Sequence, residues 1–255
     1  RRYDDDLPLQ NVANMLPYHN YVTAERAVET INRMIDYVHD GNRLFYDIYS
    51  EAEKRADPRK NNTGLFFFRG EPRRPFAIVC PGGGWSYVGA IHEGFPLAIA
   101  SSRMGYNAFS IQYRTGGAQV ACEDLAQAID FIMRHAGELQ VSTEDYSLWG
   151  GSAGARMAAY LGSYSTQGFI AADNPRPAAV IMGYTGHTDY TRNDPPTYVV
   201  IGDNDGIASA SVMRQRVENL RAVGIDAEFH LFPNLRHGFG LGIETSAEGW
   251  EKDAV

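Results

Sequence analysis

Between residues 22 and 38 the apolar positions Ala24, Ala27, Val28, Ile31, Met34, Ile35 and Val38 recur at the spacing of one helix face, and Thr23 stands where an N-cap belongs. Asp40-Gly41-Asn42 stops that helix. A short apolar run, 44–49, leads into the charged segment 51–60, which reads as a solvated face. From Gly64 the period changes. Short apolar, β-branched and aromatic runs at 65–68, 76–80, 108–113, 146–149, 178–182, 197–201 and 227–231 read as strands. Helical patterns separate them at 95–104, 120–136, 155–161 and 210–222.

Strands alternating with helices predict an α/β fold, a mostly parallel central sheet with helices on both faces. The chain divides into 1–60, an acidic N-terminal arm and helical segment with a small cap beside the site as the alternative to a plain surface segment, and 61–255, the catalytic domain. At 255 residues it fits one large domain, and no internal repeat or low-complexity tract interrupts it.

Charge narrows the partners. A formal charge of −8 and a pI near 5.4 exclude a nucleic-acid or anionic-membrane surface, which needs clustered Lys and Arg. No apolar stretch approaches the roughly 18 residues of a membrane span. Cys80 and Cys122 lie among apolar residues and read as buried free thiols, with a single disulfide as the alternative. Asn61-Asn62-Thr63 matches a glycosylation sequon but reads as a polar loop. The chain opens on Arg1-Arg2 without Met, as a processed product would, and leaves compartment and oligomeric state open.

The chemistry concentrates at Gly150-Gly151-Ser152-Ala153-Gly154, where an apolar strand meets a small-residue helix. This is the nucleophile-elbow pattern, whose tight turn leaves no room for side chains at the flanking glycines. A second strand runs into Pro81-Gly82-Gly83-Gly84-Trp85, a glycine run that frees backbone N–H groups to point at one place. A serine hydroxyl needs a base and an orienting acid, and in elbow enzymes these follow in the order acid, then histidine, on loops after later strands. Of seven histidines only His237 follows the last strand. His230 lies within a strand; His19, His39 and His135 lie on helical or surface stretches; His187 and His92 precede the required acid. For the acid, Asp205 is favoured over Asp203 because it stands farther past its strand and before Gly206, whereas Asp203 could close its own loop.

Taken together, the glycine run, Tyr113-Arg114, the elbow, Gly202-Asp203-Asn204-Asp205 and His237-Gly238-Phe239 resemble the α/β-hydrolase superfamily, over about residues 64–250. Within it the chain is most similar to small esterases related to acetylxylan and other carbohydrate acetyl esterases, and more loosely to the hormone-sensitive-lipase group. The resemblance implies Ser152 as nucleophile, His237 as general base and then acid, and Asp205 as the group that holds the imidazole. It also implies that the N–H groups of Ala153 and of Gly83 or Gly84 form the oxyanion hole. Pro81 replaces a histidine that often opens the glycine run, and Gly151 replaces a common acid. The lipase cap has no counterpart between Met182 and Thr197, which argues for an open pocket and against long-chain lipids.

Trp85, Tyr87, His92, Tyr184 and His187 fall on loops at the ligand-binding edge of such a sheet and are the candidate substrate-binding residues. Arg156 reads as a structural pairing residue. No metal-ligand spacing or nucleotide loop occurs, so no cofactor is expected. The reading is a serine carboxylic-ester hydrolase that removes short acyl groups, foremost acetyl, from a carbohydrate or small-molecule ester. A feruloyl or aryl esterase and a prolyl-oligopeptidase-like peptidase are alternatives on the same fold, and a non-catalytic binding protein is the rival class.

Overall fold

A computed structural model describes residues 21–255. The acidic arm expected over 1–20, with His19, lies outside the described residues. Helix α1 (Ala24–His39) begins where the pattern places it, with the Thr23 hydroxyl accepting from the Arg26 N–H at 3.3 Å. It buries Ala27, Thr30 and Met34 and leaves Val28, Ile35 and Val38 exposed.

Among the described residues eight strands form one sheet: β1 (Phe45–Asp47), β2 (Gly64–Phe68), β3 (Pro75–Cys80), β4 (Asn107–Gln112), β5 (Ser142–Gly151), β6 (Ala179–Gly183), β7 (Thr197–Gly202) and β8 (Ala227–Phe232). Their order is β1-β2-β4-β3-β5-β6-β7-β8. The β1/β2 and β2/β4 pairs are antiparallel and every other pair is parallel. The sheet thus begins ahead of Gly64. Three residues carry too little alternation to declare β1; its identity comes from register with β2, Tyr46 opposite Leu65. By contrast β3 and β7 are buried almost throughout, which is why they read as continuous apolar runs.

The charged segment after β1 folds into α2 (Glu51–Ala56), closed by a capping box in which Ser50 and Glu53 exchange hydrogen bonds. It is docked as well as solvated. Arg114, just past β4, bonds Asp124 through Nε at 2.9 Å and Asp57 through Nη1 at 3.1 Å, while the Tyr49 hydroxyl donates to Asp124 at 2.5 Å. Asp124 is wholly buried in α4 (Ala118–Arg134), so its charge needs those partners.

Helices α3 (Phe95–Arg103), α5 (Ala136–Leu139), α6 (Ala153–Tyr164), α7 (Ala210–Ala222) and α8 (Trp250–Asp253) complete the fold. Both cysteines are free and buried; burial raises the Cys80 thiol well above its ordinary range, and burial together with Glu123 pushes Cys122 up to about 12. Among the described residues no helix is long and apolar enough to cross a membrane.

Candidate active site

Strand β5 lies inside the sheet between β3 and β6, and it ends in the turn that carries Ser152. Ser152 sits at φ 53°, ψ −117°, a strained backbone for a residue with a side chain, held by its N–H donating to the Gly183 carbonyl at 2.9 Å. The flanking glycines explain how the turn closes. A Cβ on Gly154 would lie 1.9 Å from the Cys80 carbonyl oxygen, and one on Gly150 would lie 2.3 Å from the Gly154 backbone. Helix α6 therefore leaves the turn pressed against β3, and only glycine permits that approach.

Two later loops converge on the serine. Gly202 ends β7 so close to Leu235 that a Cβ would meet its carbonyl oxygen at 2.1 Å, which locks the loop after β7 under the loop after β8. From the first comes Asp205, from the second His237. His237 Nε2 is 2.9 Å from Ser152 Oγ, and its Nδ1 is 2.9 and 3.0 Å from the two Asp205 oxygens. The Asp205 side chain is fully buried and that of His237 is 9 % exposed. The pair is thus shielded while Ser152 remains half-exposed.

Asp203 is elsewhere: its Oδ1 accepts from the Asn234 N–H at 2.7 Å, bridging the two loops. The loop-closing turn expected of Asp203 is made instead by Asp205, whose Oδ1 accepts from Ile207 at 2.9 Å and Ala208 at 2.8 Å. These N–H bonds fix the carboxylate that faces the imidazole.

The glycine run passes directly beside the serine. A Cβ on Gly82 would lie 3.0 Å from both Ser152 Cβ and Glu93 Oε2. Gly83 and Gly84 adopt φ of 135° and 58°, and no acceptor among the described residues takes the N–H of Gly83, Gly84 or Ala153. The run is clamped from both sides. Tyr113 donates to the Pro81 carbonyl at 2.8 Å, and the Gly82 N–H donates to Glu93 at 2.5 Å.

The five aromatic and histidine candidates separate. Trp85 and Tyr87 are half-buried within the glycine loop: the Trp85 carbonyl accepts from Gly116, and the Tyr87 N–H donates to Gly83. Tyr184 reaches the centre but from behind, 3 % exposed, its ring edge-on to His237 at 5.3 Å and its hydroxyl donating to Glu93 at 3.1 Å. The same ring accounts for Gly151, where a Cβ would meet the Tyr184 hydroxyl at 2.6 Å. His92 lines a cleft walled by α1, together with Phe239 and Leu241.

His187 makes no hydrogen bond or ring contact with Ser152, Asp205 or His237. It is buried edge-on against Tyr160 at 4.6 Å, where burial, then Arg216 and Arg156, push its pKa down to about 3. Arg216 in turn is paired with Asp194 at 2.9 Å. Arg156 corrects the expectation of a pairing residue: it is exposed and forms no ion pair among the described residues.

Sequence reading missed Glu93. It lies in a single π-helical turn, Ala90–Gly94, and is 4 % exposed. Burial raises its pKa against the opposing hydrogen bonds of Gly82 and Tyr184 and the charge of His237. A lone acid amid Ala90, Ile91, Phe95 and Leu97 was the available signal. Among the described residues no three His, Cys, Asp or Glu side chains converge as a metal site would require.

The BD-FAE family model matches residues 69–176, which span the glycine run and the elbow. No curated protein matches the chain by sequence. Solved structures do. An acetyl ester-xyloside bifunctional hydrolase from Caldicellulosiruptor lactoaceticus superposes with a TM-score of 0.72 at 20% identity, over 82% of this chain and 93% of that one. A sugar hydrolase from Lactococcus lactis gives 0.67 at 20%, over 84% and 95%. A thermophilic esterase from Thermogutta terrifontis, with propionate bound, gives 0.64 at 19%, over 74% and 85%. The α/β-hydrolase fold expected from the sequence is the fold of this chain.

Proposed function

We propose that this α/β-hydrolase chain is a serine carboxylic-ester hydrolase that removes short acyl groups, foremost acetyl, from carbohydrate or small-alcohol esters. The observation that carries the reading is the unbroken hydrogen-bonded line Ser152–His237–Asp205 at a strained strand-to-helix turn. Ser152 Oγ attacks the ester carbonyl while His237 Nε2 takes its proton. Asp205 holds the Nδ1–H tautomer and stabilises the imidazolium that forms.

The tetrahedral oxyanion falls to the uncommitted N–H groups of Ala153 and of Gly83 or Gly84. Gly82 cannot serve, since Glu93 already holds its N–H. One such donor contributes about 3 kcal/mol at the transition state. His237 returns the proton to the departing alcohol, then activates water to release the acid and restore Ser152.

Support for a carbohydrate ester comes from the likeness to an acetyl ester-xyloside hydrolase and a sugar hydrolase, and from the half-buried Trp85 and Tyr87 in the glycine loop. The test is hydrolysis of p-nitrophenyl esters from acetate to octanoate, and of acetylated xylan, by wild type and Ser152→Ala. Turnover of acetate and the acetylated glycan, with the Ala variant at least about 1,000-fold slower, is the expected outcome. Preference for octanoate would overturn the short-acyl assignment, and an Ala variant as active as wild type would overturn the serine mechanism.

A further inference from the structure

We infer that Glu93 is a positioning residue for this reaction: it locks the oxyanion loop and the Tyr184 buttress of His237 into one unit around Ser152. The inference rests on the esterase reading and extends it to a side chain that does not touch the reacting atoms.

Two segments meet at this carboxylate, the glycine run 11 residues before it and the loop after β6, 91 residues beyond it. Oε2 accepts the Gly82 N–H at 2.5 Å, and Oε1 accepts the Tyr184 hydroxyl at 3.1 Å. Each oxygen therefore holds a different wall of the site. Gly82 precedes the two glycines that offer free N–H groups, so fixing its N–H sets the direction in which the loop leaves β3. Tyr113 holds the neighbouring carbonyl of Pro81 from the opposite side, and together the two bonds leave the peptide little freedom to rotate. Tyr184 carries the other half of the effect. Its ring fills the space a Gly151 side chain would need and packs edge-on against both His237 and Phe239, at 5.3 and 4.7 Å. A carboxylate that accepts from both donors thus ties the oxyanion donors and the general base to the same atom pair.

A purely structural role predicts otherwise. A buried acid is a costly way to hold a loop, and an apolar side chain would fill the volume at less desolvation cost. The π-turn that places Glu93 is itself a less favourable helix geometry, found frequently at functional sites. What an apolar residue cannot do is orient two N–H and O–H dipoles at once. Preorganised donors are effective because they need no reorientation as charge develops, and a displacement on the order of 1 Å can cost about 100-fold in rate.

The experiment compares p-nitrophenyl acetate kinetics and thermal melts for wild type, Glu93→Ala, Glu93→Gln and Tyr184→Phe. Expected for Glu93→Ala is a fall in kcat of about 10- to 100-fold with KM within about threefold, because substrate binding does not use this group while the oxyanion donors do. Glu93→Gln, which keeps an acceptor for Gly82, should recover most of that loss. Tyr184→Phe, which leaves the Gly82 bond intact, should fall between wild type and Glu93→Ala. A cooperatively folded Glu93→Ala with wild-type kcat refutes the positioning role and leaves the esterase reading standing, as does a loss confined to KM. If Glu93→Ala does not fold, a Gln variant no more active than a Tyr184→Phe variant impaired 100-fold or more overturns it equally. Absence of turnover in wild type itself would refute the esterase reading, and this inference with it.

Discussion

Replacing Asp205 by Asn changes one atom, and the hydrogen bonds around it dictate which. Asp205 Oδ1 accepts from two backbone N–H groups, Ile207 at 2.9 Å and Ala208 at 2.8 Å, so the amide oxygen of Asn must stay there. The NH2 then takes the place of Oδ2, 2.9 Å from His237 Nδ1. Nδ1 also lies 3.0 Å from Oδ1, but that oxygen's lone pairs are taken by the two backbone N–H groups, so the N–H donor facing Nδ1 drives the imidazole proton onto Nε2, the nitrogen 2.9 Å from Ser152 Oγ that must accept the serine proton. The base is present but in the wrong tautomer. Loss of a correctly oriented tautomer in a serine triad costs roughly 10,000-fold in kcat, about 5.4 kcal/mol at the transition state. The loop keeps its two backbone bonds, so the melting temperature of Asp205→Asn should stay within about 3 °C of wild type. Asp203→Asn is the internal control, since its amide oxygen can still accept from Asn234, and it should retain activity within about threefold. The assay is steady-state hydrolysis of p-nitrophenyl acetate near pH 7.5. Asp205→Asn within tenfold of wild type, or Asp203→Asn as damaged as Asp205→Asn, would refute the reasoning.

Gly154→Ala sets a methyl group 1.9 Å from the Cys80 carbonyl, backbone that cannot step aside; it should destabilise by roughly 3 kcal/mol, read as a fall of about 6–12 °C in melting temperature. A variant melting with wild type would show that α6 leaves the elbow differently. His187 supplies a pH test: its pKa is pushed from 6.5 to about 3 in the folded chain, so between those values the unfolded chain binds the extra proton. Stability contributed by the neutral ring is complete above pH 6.5 and is lost as pH falls, by up to about 1.4 kcal/mol per pH unit. Urea midpoints for His187→Gln should therefore fall less steeply between pH 6.5 and 4 than those of wild type, and parallel curves would remove His187 from the account.

Ser152, Asp205 and His237 were legible as candidates because each sits at a junction with a local signature. A strand runs into Gly-x-Ser-x-Gly, another into Gly202 and two aspartates, and the last into a histidine loop. Thr23 and the spacing of Ala27 and Met34 likewise declared α1. What escaped depends on partners distant in sequence. β1 is three residues whose strand character lies in its hydrogen bonds to β2. Glu93 gains meaning only beside Tyr184, 91 positions away, and Tyr184 looked like a pocket residue until its hydroxyl found that acid. His187, expected at the crevice, is buried against Tyr160 instead: loop position fixes which edge of a sheet a side chain is near, but not whether it turns toward the crevice or into the packing beneath it. Asp205, rather than Asp203, stands beside His237, and the turn expected of Asp203 is made by Asp205.

The order in which the three groups join the sheet carries a consequence for synthesis. Ser152 is borne by an inner strand, Asp205 follows the next strand but one, and His237 follows β8, the outermost and last. On the proposed mechanism, a ribosome thus makes the nucleophile long before the base. Until β8 has emerged and aligned with β7, the serine turn can fold, but the proposed base, His237, is not yet in place to take its proton. A nascent chain, or one clipped by a protease ahead of β8, would be chemically silent, and reactivity would arrive only when the final strand seats.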